Sequence, residues 1–477
     1  MLLLPNLDEH SETPLFMQLY TYIKNEIIAG RIAEHTLLPS VRKFAEFLAI
    51  STTPVEMAYN QLLAEGFIES KPRSGYYVPK LTDPCLQVEK GQFGSSDLME
   101  RRKYPARDKT AYRYDFHLSK NDFDHFPFSV WRRLFNEILR LEQKELLFYG
   151  DPQGEQGLRY EIARYLHQFR GVSCSPEQIV IGAGSHVLLT FLSLLLKQHS
   201  TSIGVEEPGY PLIFTTFRQH GFQVVPISLE HDGIDLKDLY ESRVRLVYVT
   251  PSHQFPQGMI MPVAKRLQLL EWAKQANGYI IEDDSDGEFR YHGRPVPSLQ
   301  GLLPDTNVVY MGGFSKALAP AIRISYMVLP EALLDAYHEL EYNLLFEQSS
   351  SPLHQKTLQL FMQRGYWEKH VRKMRNIYRK KHDVLVGTIQ NTFQERAAVI
   401  GKGAGLHVLL RINSPHSERE LTRMAKSAGI RISPASYTWM QPPEEERKEF
   451  FVGFGGLSLQ EIEQGIKLLF QVWFGEP

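Results

Sequence analysis

The stretch NVVYMGGFSKALAPAIRISYMVL, residues 307–329, contains two apolar runs joined by a loop of small residues, and this loop carries Lys316. Short apolar runs bounded by Gly and Pro predict buried strands. Arg323 follows the lysine by seven positions on the same connection. The stretch therefore predicts two consecutive strands whose connection presents a lysine and an arginine.

Three further predicted strands end in loops with distinct chemistry. IVIGAGSHVLLTFLSLLL, residues 179–196, predicts a strand, a turn of small residues and a helix that begins near Ser185. VRLVYVTPSHQFPQG, residues 244–258, ends in a Pro-rich loop, and YIIEDDSDGEF, residues 279–289, ends in a cluster of carboxylates. Helices alternate with these strands, which predicts an α/β fold, and open α/β sheets bind ligands at the ends of their strands.

These loops together supply the groups that pyridoxal phosphate requires. A lysine forms the Schiff base with the aldehyde, a carboxylate keeps the pyridine nitrogen protonated, and the amides of a helix start hold the phosphate. The simpler interpretation is a surface lysine beside a solvated acidic loop. That interpretation holds for most single lysines, but here it would require several independent coincidences, and no metal site is predicted.

The N-terminal residues 10–80 have a different sequence pattern, because they contain several short helical segments in close succession. Leu15, Leu19, Ile23 and Ile27 recur every four residues and predict a first helix. Ser40 is the predicted N-cap of a second helix, and STTPVEMAYNQLLAEG, residues 51–66, predicts a third. FIESKPRSGYYVP, residues 67–79, predicts a hairpin, and the whole pattern is typical of a winged helix-turn-helix.

Such a domain would place one helix in the major groove of DNA. Four cationic residues would hold the DNA phosphates and the wing: Arg42, Lys43, Lys71 and Arg73. The alternative is a three-helix interaction module that binds no DNA. Residues 1–80 carry seven Lys or Arg and nine Asp or Glu, fewer cations than a DNA-binding domain usually has. Pattern and charge alone leave both interpretations open.

Residues 81–112 lose helical periodicity and collect Pro, Gly, Ser and charged residues, which predicts a linker ahead of residues 113–477. The whole chain has a net charge of −2 and two cysteines, Cys85 and Cys174, too few for a disulfide framework. The N-terminus has no signal-peptide core, and no apolar run is long enough to cross a bilayer. We therefore expect a cytoplasmic protein without a membrane partner.

Motifs within residues 12–79 resemble the winged-helix domain of the GntR family of bacterial transcription regulators. They are PLFMQLYTYIKNEIIAGRI, LLPSVRKFAEFLAIST and AYNQLLAEGFIESKPRSGYYV, in that order. The resemblance implies operator DNA as the partner and places Thr52 and Thr53 at the DNA. Thr52 stands where the family usually has an arginine that contacts DNA.

Residues 113–470 resemble the fold-type I, class I/II aminotransferases. The motifs are YGDPQGEQGLR, GAGSHVLL, EEPGYPLI, TPSHQFPQG, IIEDDSDGEF and GGFSKALAPAIRISYMV. With the GntR-like domain, the chain resembles the MocR/GabR subfamily, regulators with an aminotransferase-like effector domain. This implies a mixed, mostly parallel sheet with flanking helices, a smaller α+β subdomain, pyridoxal 5′-phosphate as cofactor and a homodimer.

The resemblance assigns roles to individual residues. Lys316 would be the Schiff-base and catalytic lysine and Asp283 the partner of the pyridine nitrogen. The phosphate would be held by Gly184, Ser185, Ser315 and Arg323. Other residues expected near the cofactor are Tyr210, His253 and, from the other subunit, Tyr149, although each of these three is equally well explained as a core or interface aromatic.

Three positions depart from the family pattern. Ser285 replaces a tyrosine that assists the cofactor ring, Leu212 replaces an arginine after EEPGY, and Tyr437 stands where an arginine commonly holds a substrate carboxylate. A buried guanidinium that pairs with a carboxylate is poorly replaced by leucine or tyrosine. The effector is therefore expected to be pyridoxal phosphate itself, an amine, or an amino acid held by another arginine such as Arg431.

The function predicted from the sequence is a pyridoxal phosphate-dependent transcription regulator whose DNA binding responds to chemistry at Lys316. The alternative is a working aminotransferase whose N-terminal domain is an interaction module. The replaced tyrosine and arginine favour little or no physiological transaminase turnover.

Overall fold

The computed structural model describes residues 5, 7, 8, 11, 13–71, 75–80, 112–140, 144–291, 293, 296–303, 306–344, 349–443 and 445–475. The chain forms two compact units, Met1–Lys109 and Thr110–Pro477. Of the predicted linker, only Tyr112 belongs to the described residues, and Arg73 lies outside them. Among the described residues, no helix is both long and apolar enough to span a membrane.

The first unit contains three helices and a hairpin, as the sequence predicts. The helices are α1 (Leu15–Ile28), α2 (Val41–Leu48) and α3 (Thr52–Ala64), and the strands are β1 (Glu69–Lys71) and β2 (Gly75–Tyr77). Ser40 is the N-cap of α2 and accepts a hydrogen bond from the amide of Lys43. Ala49 adopts a left-handed conformation with φ of 55°, which ends α2 and turns the chain toward α3.

The apolar face of each helix in this unit packs into one core. Leu19, Ile23 and Ile27 of α1 are buried with Phe44 of α2 and Tyr59 of α3. The Tyr59 hydroxyl donates to the carbonyl of Pro39 at 3.0 Å, which satisfies its polar group inside the core. The four-residue repeat of α1 therefore identified three buried residues, while Leu15, its first member, is only half-buried.

The second unit is built on an eight-stranded sheet with the order β4-β11-β10-β9-β8-β5-β6-β7. The strands are β4 (Ile179–Gly182), β5 (Ser202–Glu207), β6 (Gln223–Glu230), β7 (Gly233–Ile234), β8 (Leu246–Val249), β9 (Tyr279–Asp283), β10 (Val308–Gly313) and β11 (Ser325–Val328). The pairings β10–β9–β8–β5–β6 are parallel, and those of β10–β11, β11–β4 and β6–β7 are antiparallel. The predicted mixed, mostly parallel sheet is confirmed.

Both faces of this sheet are covered. Leu246 and Tyr248 of β8 belong to one apolar cluster, and the alternating residues Val247 and Val249 belong to another. Successive side chains of a strand point to opposite faces, so a strand that is buried on both sides is apolar throughout. This explains why the sequence of β8 is a continuous apolar run.

The remaining elements surround the large sheet and form a smaller subdomain. The helices are α4 (Phe128–Arg140), α5 (Gln156–Arg170), α6 (Ser185–Leu196), α7 (Pro211–Gln219), α8 (Leu236–Glu241), α9 (Val263–Gln275), α10 (Leu334–Leu344), α11 (Pro352–Gln363), α12 (Tyr366–Phe393), α13 (Glu418–Ser427) and α14 (Leu459–Phe474). The strands are β3 (Tyr114–Asp115), β12 (Ala397–Ile400), β13 (His407–Ile412), β14 (Ile430–Arg431), β15 (Ser433–Pro434) and β16 (Glu449–Gly453). A second sheet has the order β12-β13-β16-β15, and β14 pairs with β3.

Candidate functional site

Lys316 lies on the connection between β10 and β11, at the edge of the sheet where several loops meet. Its Nζ is 2.8 Å from Oδ1 of Asp286, and its side chain retains 31% exposure. The Asn121 side-chain amide donates to the carbonyls of Ser315 at 2.7 Å and of Lys316 at 3.1 Å. Asn121 therefore positions the backbone of the lysine loop from a segment almost two hundred residues away in sequence.

The charged groups around Lys316 shift one another's pKa values. Burial alone would lower the pKa of Lys316, but the charge of Asp286, its hydrogen bond and the nearby groups Tyr210 and Asp283 together raise that pKa. Burial would likewise raise the pKa of Asp286, yet the charge of Lys316 and the neighbouring His253 hold it below its usual range. The pKa of His407 is lowered to about 3, mainly by burial and also by the charge of Lys316. His407 is therefore neutral at physiological pH.

Asp283 is the last residue of β9 and is buried at the same edge. The Tyr248 hydroxyl donates to its Oδ2 at 2.6 Å, and the Ser285 hydroxyl donates to its Oδ1. Burial raises the pKa of Asp283 despite these two hydrogen bonds. In β10, Met311 is in register with Asp283, so the carboxylate lies two residues from the end of the strand that leads to Lys316.

Gly184, Ser185 and Arg323 meet where β4 ends and α6 begins. Ser185 is the first residue of α6, and Gly184 is its N-cap with φ of 110°. Arg323 donates from Nη2 to the carbonyl of Ala183, and a Cβ on Gly184 would lie 2.4 Å from that nitrogen. The positive φ at this position favours glycine, and the absence of a side chain leaves room for the guanidinium to approach the helix N-terminus closely.

The structure brings Tyr210 and His253 to the lysine, but not Tyr149. The Nδ1 atom of His253 is 3.7 Å from Oδ2 of Asp286. Burial raises the pKa of Tyr210, and the nearby charge of Lys316 offsets part of that rise. Tyr149 is 63% exposed and makes a ring contact with Phe148 at 5.3 Å. Its role across a dimer interface stays a prediction.

Several residues of this site carried no local signal in the sequence. Asn121, Tyr248 and His407 lie on three separate elements and only the fold brings them to the lysine. Arg170, at the end of α5, is buried and pairs through Nη2 with Oδ2 of Asp284, which also accepts from the Tyr310 hydroxyl at 2.6 Å. Periodicity identifies such positions as buried, but it does not identify their partners.

Glu206 provides a test of the electrostatics at this edge. Its Oε2 accepts from the Thr250 hydroxyl at 2.7 Å, and burial raises its pKa to about 7, from an ordinary value of 4.5. The folded state therefore binds more protons than the unfolded state between these two values, so stability decreases as pH rises through this window. The Glu206→Gln variant lacks this titrating group and should not show the loss. We therefore expect the unfolding free energy of the variant minus that of the wild type to rise by about 2–3 kcal/mol from pH 5 to pH 8.

The measurement is urea denaturation of both proteins at the two pH values, followed by tryptophan fluorescence. All five tryptophans lie between Trp131 and Trp473, so the signal reports on the second unit only. Comparing the two proteins removes the contributions of Glu282 and Glu288, whose pKa values burial also raises to about 7. Parallel pH profiles of the two proteins would contradict the assignment.

In the first unit, the predicted DNA-contacting residues that the structure describes are all exposed. Arg42 and Lys43 lie in the first turn of α2, and Thr52 and Thr53 begin α3. Lys71, at the end of β1, places its Nζ 4.4 Å from the centre of the Tyr77 ring on the other strand of the hairpin. These side chains are accessible to a duplex, and their contacts with DNA stay predictions.

Comparisons with known proteins match the two units of the chain to two different families. Residues 115–448 match the family of class I and II aminotransferases, and residues 15–78 match the gntR family of bacterial regulatory proteins. The kynurenine aminotransferase of Pyrococcus horikoshii has the same fold over 80% of this chain and 96% of its own, with a TM-score of 0.68 and 23% identity.

Two relatives match over nearly the whole chain. The HTH-type transcriptional regulator YhdI of Bacillus subtilis is 41% identical over 98% of both chains. The probable rhizopine catabolism regulatory protein MocR of Rhizobium meliloti is 33% identical over 97% of this chain and 94% of its own. The chain thus belongs to the MocR/GabR subfamily of GntR-type transcription regulators, which join a helix-turn-helix domain to a class I and II aminotransferase domain.

Proposed function

We propose that this transcription regulator binds pyridoxal 5′-phosphate at Lys316 and that occupancy of the site changes its affinity for operator DNA. The observation that carries the proposal is the ion pair of Lys316 with Asp286 beside the buried carboxylate of Asp283. A lysine whose pKa is raised by neighbouring acids at the ends of parallel strands is typical of a functional site.

The residues at this edge fit the cofactor. Asp283 would hold the pyridine nitrogen, and Gly184, Ser185, Ser315 and Arg323 would hold the phosphate. Nε2 of His253 is buried and has no hydrogen-bond partner within the described part of the chain, which leaves a donor or acceptor for a bound molecule. The bound group would supply an aldehyde for the Lys316 amine and a ring that accepts electron density.

The chain's own groups control the proton and the position of the lysine. Asp286 keeps the Lys316 amine protonated until a ligand replaces that partner, while Asn121 fixes the loop. Tyr248 and Ser285 orient Asp283. Ser285 stands where the family usually has a tyrosine that assists the cofactor ring. The absence of that tyrosine favours regulation over rapid turnover.

The proposal includes the domain boundaries and the assembly. Residues 10–80 form the DNA-binding domain, residues 81–112 the linker, and residues 113–477 the effector domain. A homodimer would present two DNA-binding domains to two half-sites, and Tyr149 would reach the site of the other subunit. A ligand that binds two arrangements of the dimer unequally would then change DNA affinity.

The direct test is fluorescence anisotropy of the cofactor-loaded protein on its own upstream DNA and on a scrambled duplex, at one fixed salt concentration. We expect a clear preference for the upstream DNA and a change in affinity when the cofactor is removed. Borohydride reduction should trap the cofactor on Lys316. Equal, weak binding to both duplexes together with rapid transamination would instead indicate the working aminotransferase.

Arg42→Ala is expected to weaken binding to upstream and scrambled DNA alike, because a phosphate contact carries no sequence information. The slope of log affinity against log salt should decrease by about one. Lys24→Ala is the matched control, since it removes one cation that already pairs with Glu65 at 2.8 Å. A salt slope that changes equally in both variants would argue against Arg42 as a phosphate contact.

A further inference from the structure

Five aromatic rings line one side of the candidate site, and we call them the aromatic wall: Tyr210, Phe255, His407, Tyr437 and Phe451. The Phe255 and Phe451 rings are stacked at 5.4 Å with an interplanar angle of 11°. Tyr210 lies 5.4 Å from Phe255, and Tyr437 lies 5.7 Å from Phe451. His407 completes the wall with ring contacts to Phe255 at 5.6 Å and Phe451 at 5.5 Å.

The aromatic wall is continuous with the lysine site. The ring of His407 is 6.1 Å from that of His253, which contacts Asp286, the partner of Lys316. Phe451 and His407 are buried, whereas Tyr210 and Tyr437 are exposed. The wall therefore has a fixed, packed base and an accessible side that a ligand reaching Lys316 would contact.

The aromatic wall is neutral, and three arginines on or just before strands of the smaller subdomain contact other groups. Arg431, which the sequence suggested as a carboxylate ligand, lies 3.6 Å from Oδ2 of Asp115. Arg411 pairs with Glu449 at 2.7 Å, and the guanidinium of Arg447 lies 5.1 Å from the Trp439 ring. Because Lys316 also already pairs with Asp286, a carboxylate placed against the wall would lose hydration without gaining any of these cations as a free partner.

We propose that the effector is a primary amine with an aromatic or similarly broad apolar body and no carboxylate beside the amine. This inference rests on the proposed function, because it assigns the ligand class of the same site. The amine would approach Lys316, and the apolar body would pack on Tyr210, Phe255 and Tyr437. Aromatic pairs in offset or edge-to-face geometry give such contacts their specificity.

The test compares three probes on the full-length, cofactor-loaded protein: 2-phenylethylamine, L-phenylalanine, which differs from it by the carboxylate, and ethylamine, which lacks the ring. The concentration for a half-maximal change is read from DNA anisotropy and, independently, from the shift in Tm. We expect 2-phenylethylamine to act at a concentration about 100-fold lower than phenylalanine and about tenfold lower than ethylamine.

A charge-introducing variant links the preference to the aromatic wall. Tyr437 is 45% exposed, so Tyr437→Arg is compatible with folding, and its guanidinium would pair with the carboxylate of phenylalanine. In this variant we expect the half-maximal concentration of phenylalanine to exceed that of 2-phenylethylamine by about tenfold or less. Tyr240→Arg is the control, because Tyr240 on α8 is 47% exposed and hydrogen-bonds to Gln275, away from the wall.

The outcomes separate the two levels of the proposal. Phenylalanine acting at the same concentration as 2-phenylethylamine, or a gap that narrows equally in both arginine variants, would overturn the ligand class. No response to any probe, with the cofactor still trapped on Lys316 and upstream DNA still preferred, would also overturn it while leaving the proposed function intact. Loss of both the trapped cofactor and the DNA preference would remove the proposed function itself.

Discussion

Lys316→Arg is expected to abolish covalent trapping of the cofactor completely while leaving the protein folded. Arginine keeps a positive charge that can pair with Asp286, but its guanidinium stays protonated and does not form the bond that a lysine amine forms. The measurement is borohydride reduction of the protein incubated with pyridoxal phosphate, followed by intact-mass analysis. Any change in DNA affinity on adding the cofactor should be lost at the same time.

Lys316→Ala separates the charge of the lysine from its chemistry. Alanine also prevents trapping, but it leaves the Asp286 carboxylate buried without its cationic partner, which is destabilising. We therefore expect a lower Tm for Lys316→Ala than for Lys316→Arg. A covalent adduct of the same mass in either variant would show that another amine of the chain carries the cofactor.

Arg170→Met is expected to lower the free energy of unfolding of the second unit by about 3–5 kcal/mol, the largest stability effect that the structure predicts. The side chains of Arg170 and Asp284 are 3% and 2% exposed, and they pair directly. Without the guanidinium, Asp284 would retain the hydrogen bond from Tyr310 and face a neighbouring acid, Glu288, in the same buried region. Urea denaturation followed by tryptophan fluorescence measures the loss.

Two controls identify the unpaired charge as the cause. Adding Asp284→Asn to Arg170→Met should recover a large part of the loss, because it removes the buried charge that the first substitution leaves behind. Arg164→Met should cost at most about 1 kcal/mol, since Arg164 is exposed and pairs with Glu161 on the same helix. Equal losses for Arg170→Met alone and for the double variant would show that packing, not charge, dominates.

The first unit could be predicted from local patterns. The repeat of Leu19, Ile23 and Ile27 identified the buried face of α1, Ser40 identified the start of α2, and the alternating apolar and polar residues on both sides of a Pro-Arg-Ser-Gly sequence predicted the hairpin. Each signal arises within a few residues, because helix periodicity, capping and hairpin turns depend on neighbours in sequence. The surface that contacts DNA does not follow from them, since exposure leaves no periodic constraint.

The amino-acid sequence by itself indicated that β4, β8, β9, β10 and β11 are strands and which loop carries Lys316, because these depend on runs of apolar residues and on the turns that follow. Tertiary structure alone decided that Asp286 pairs with Lys316, that Asn121 holds the lysine loop, and that Arg170 neutralises Asp284. The aromatic wall belongs to the same class, since Tyr210 and Phe451 come from distant segments. Charge pairing and ring contacts depend on distance in space, which a linear pattern does not encode until the sheet order places the strand ends side by side.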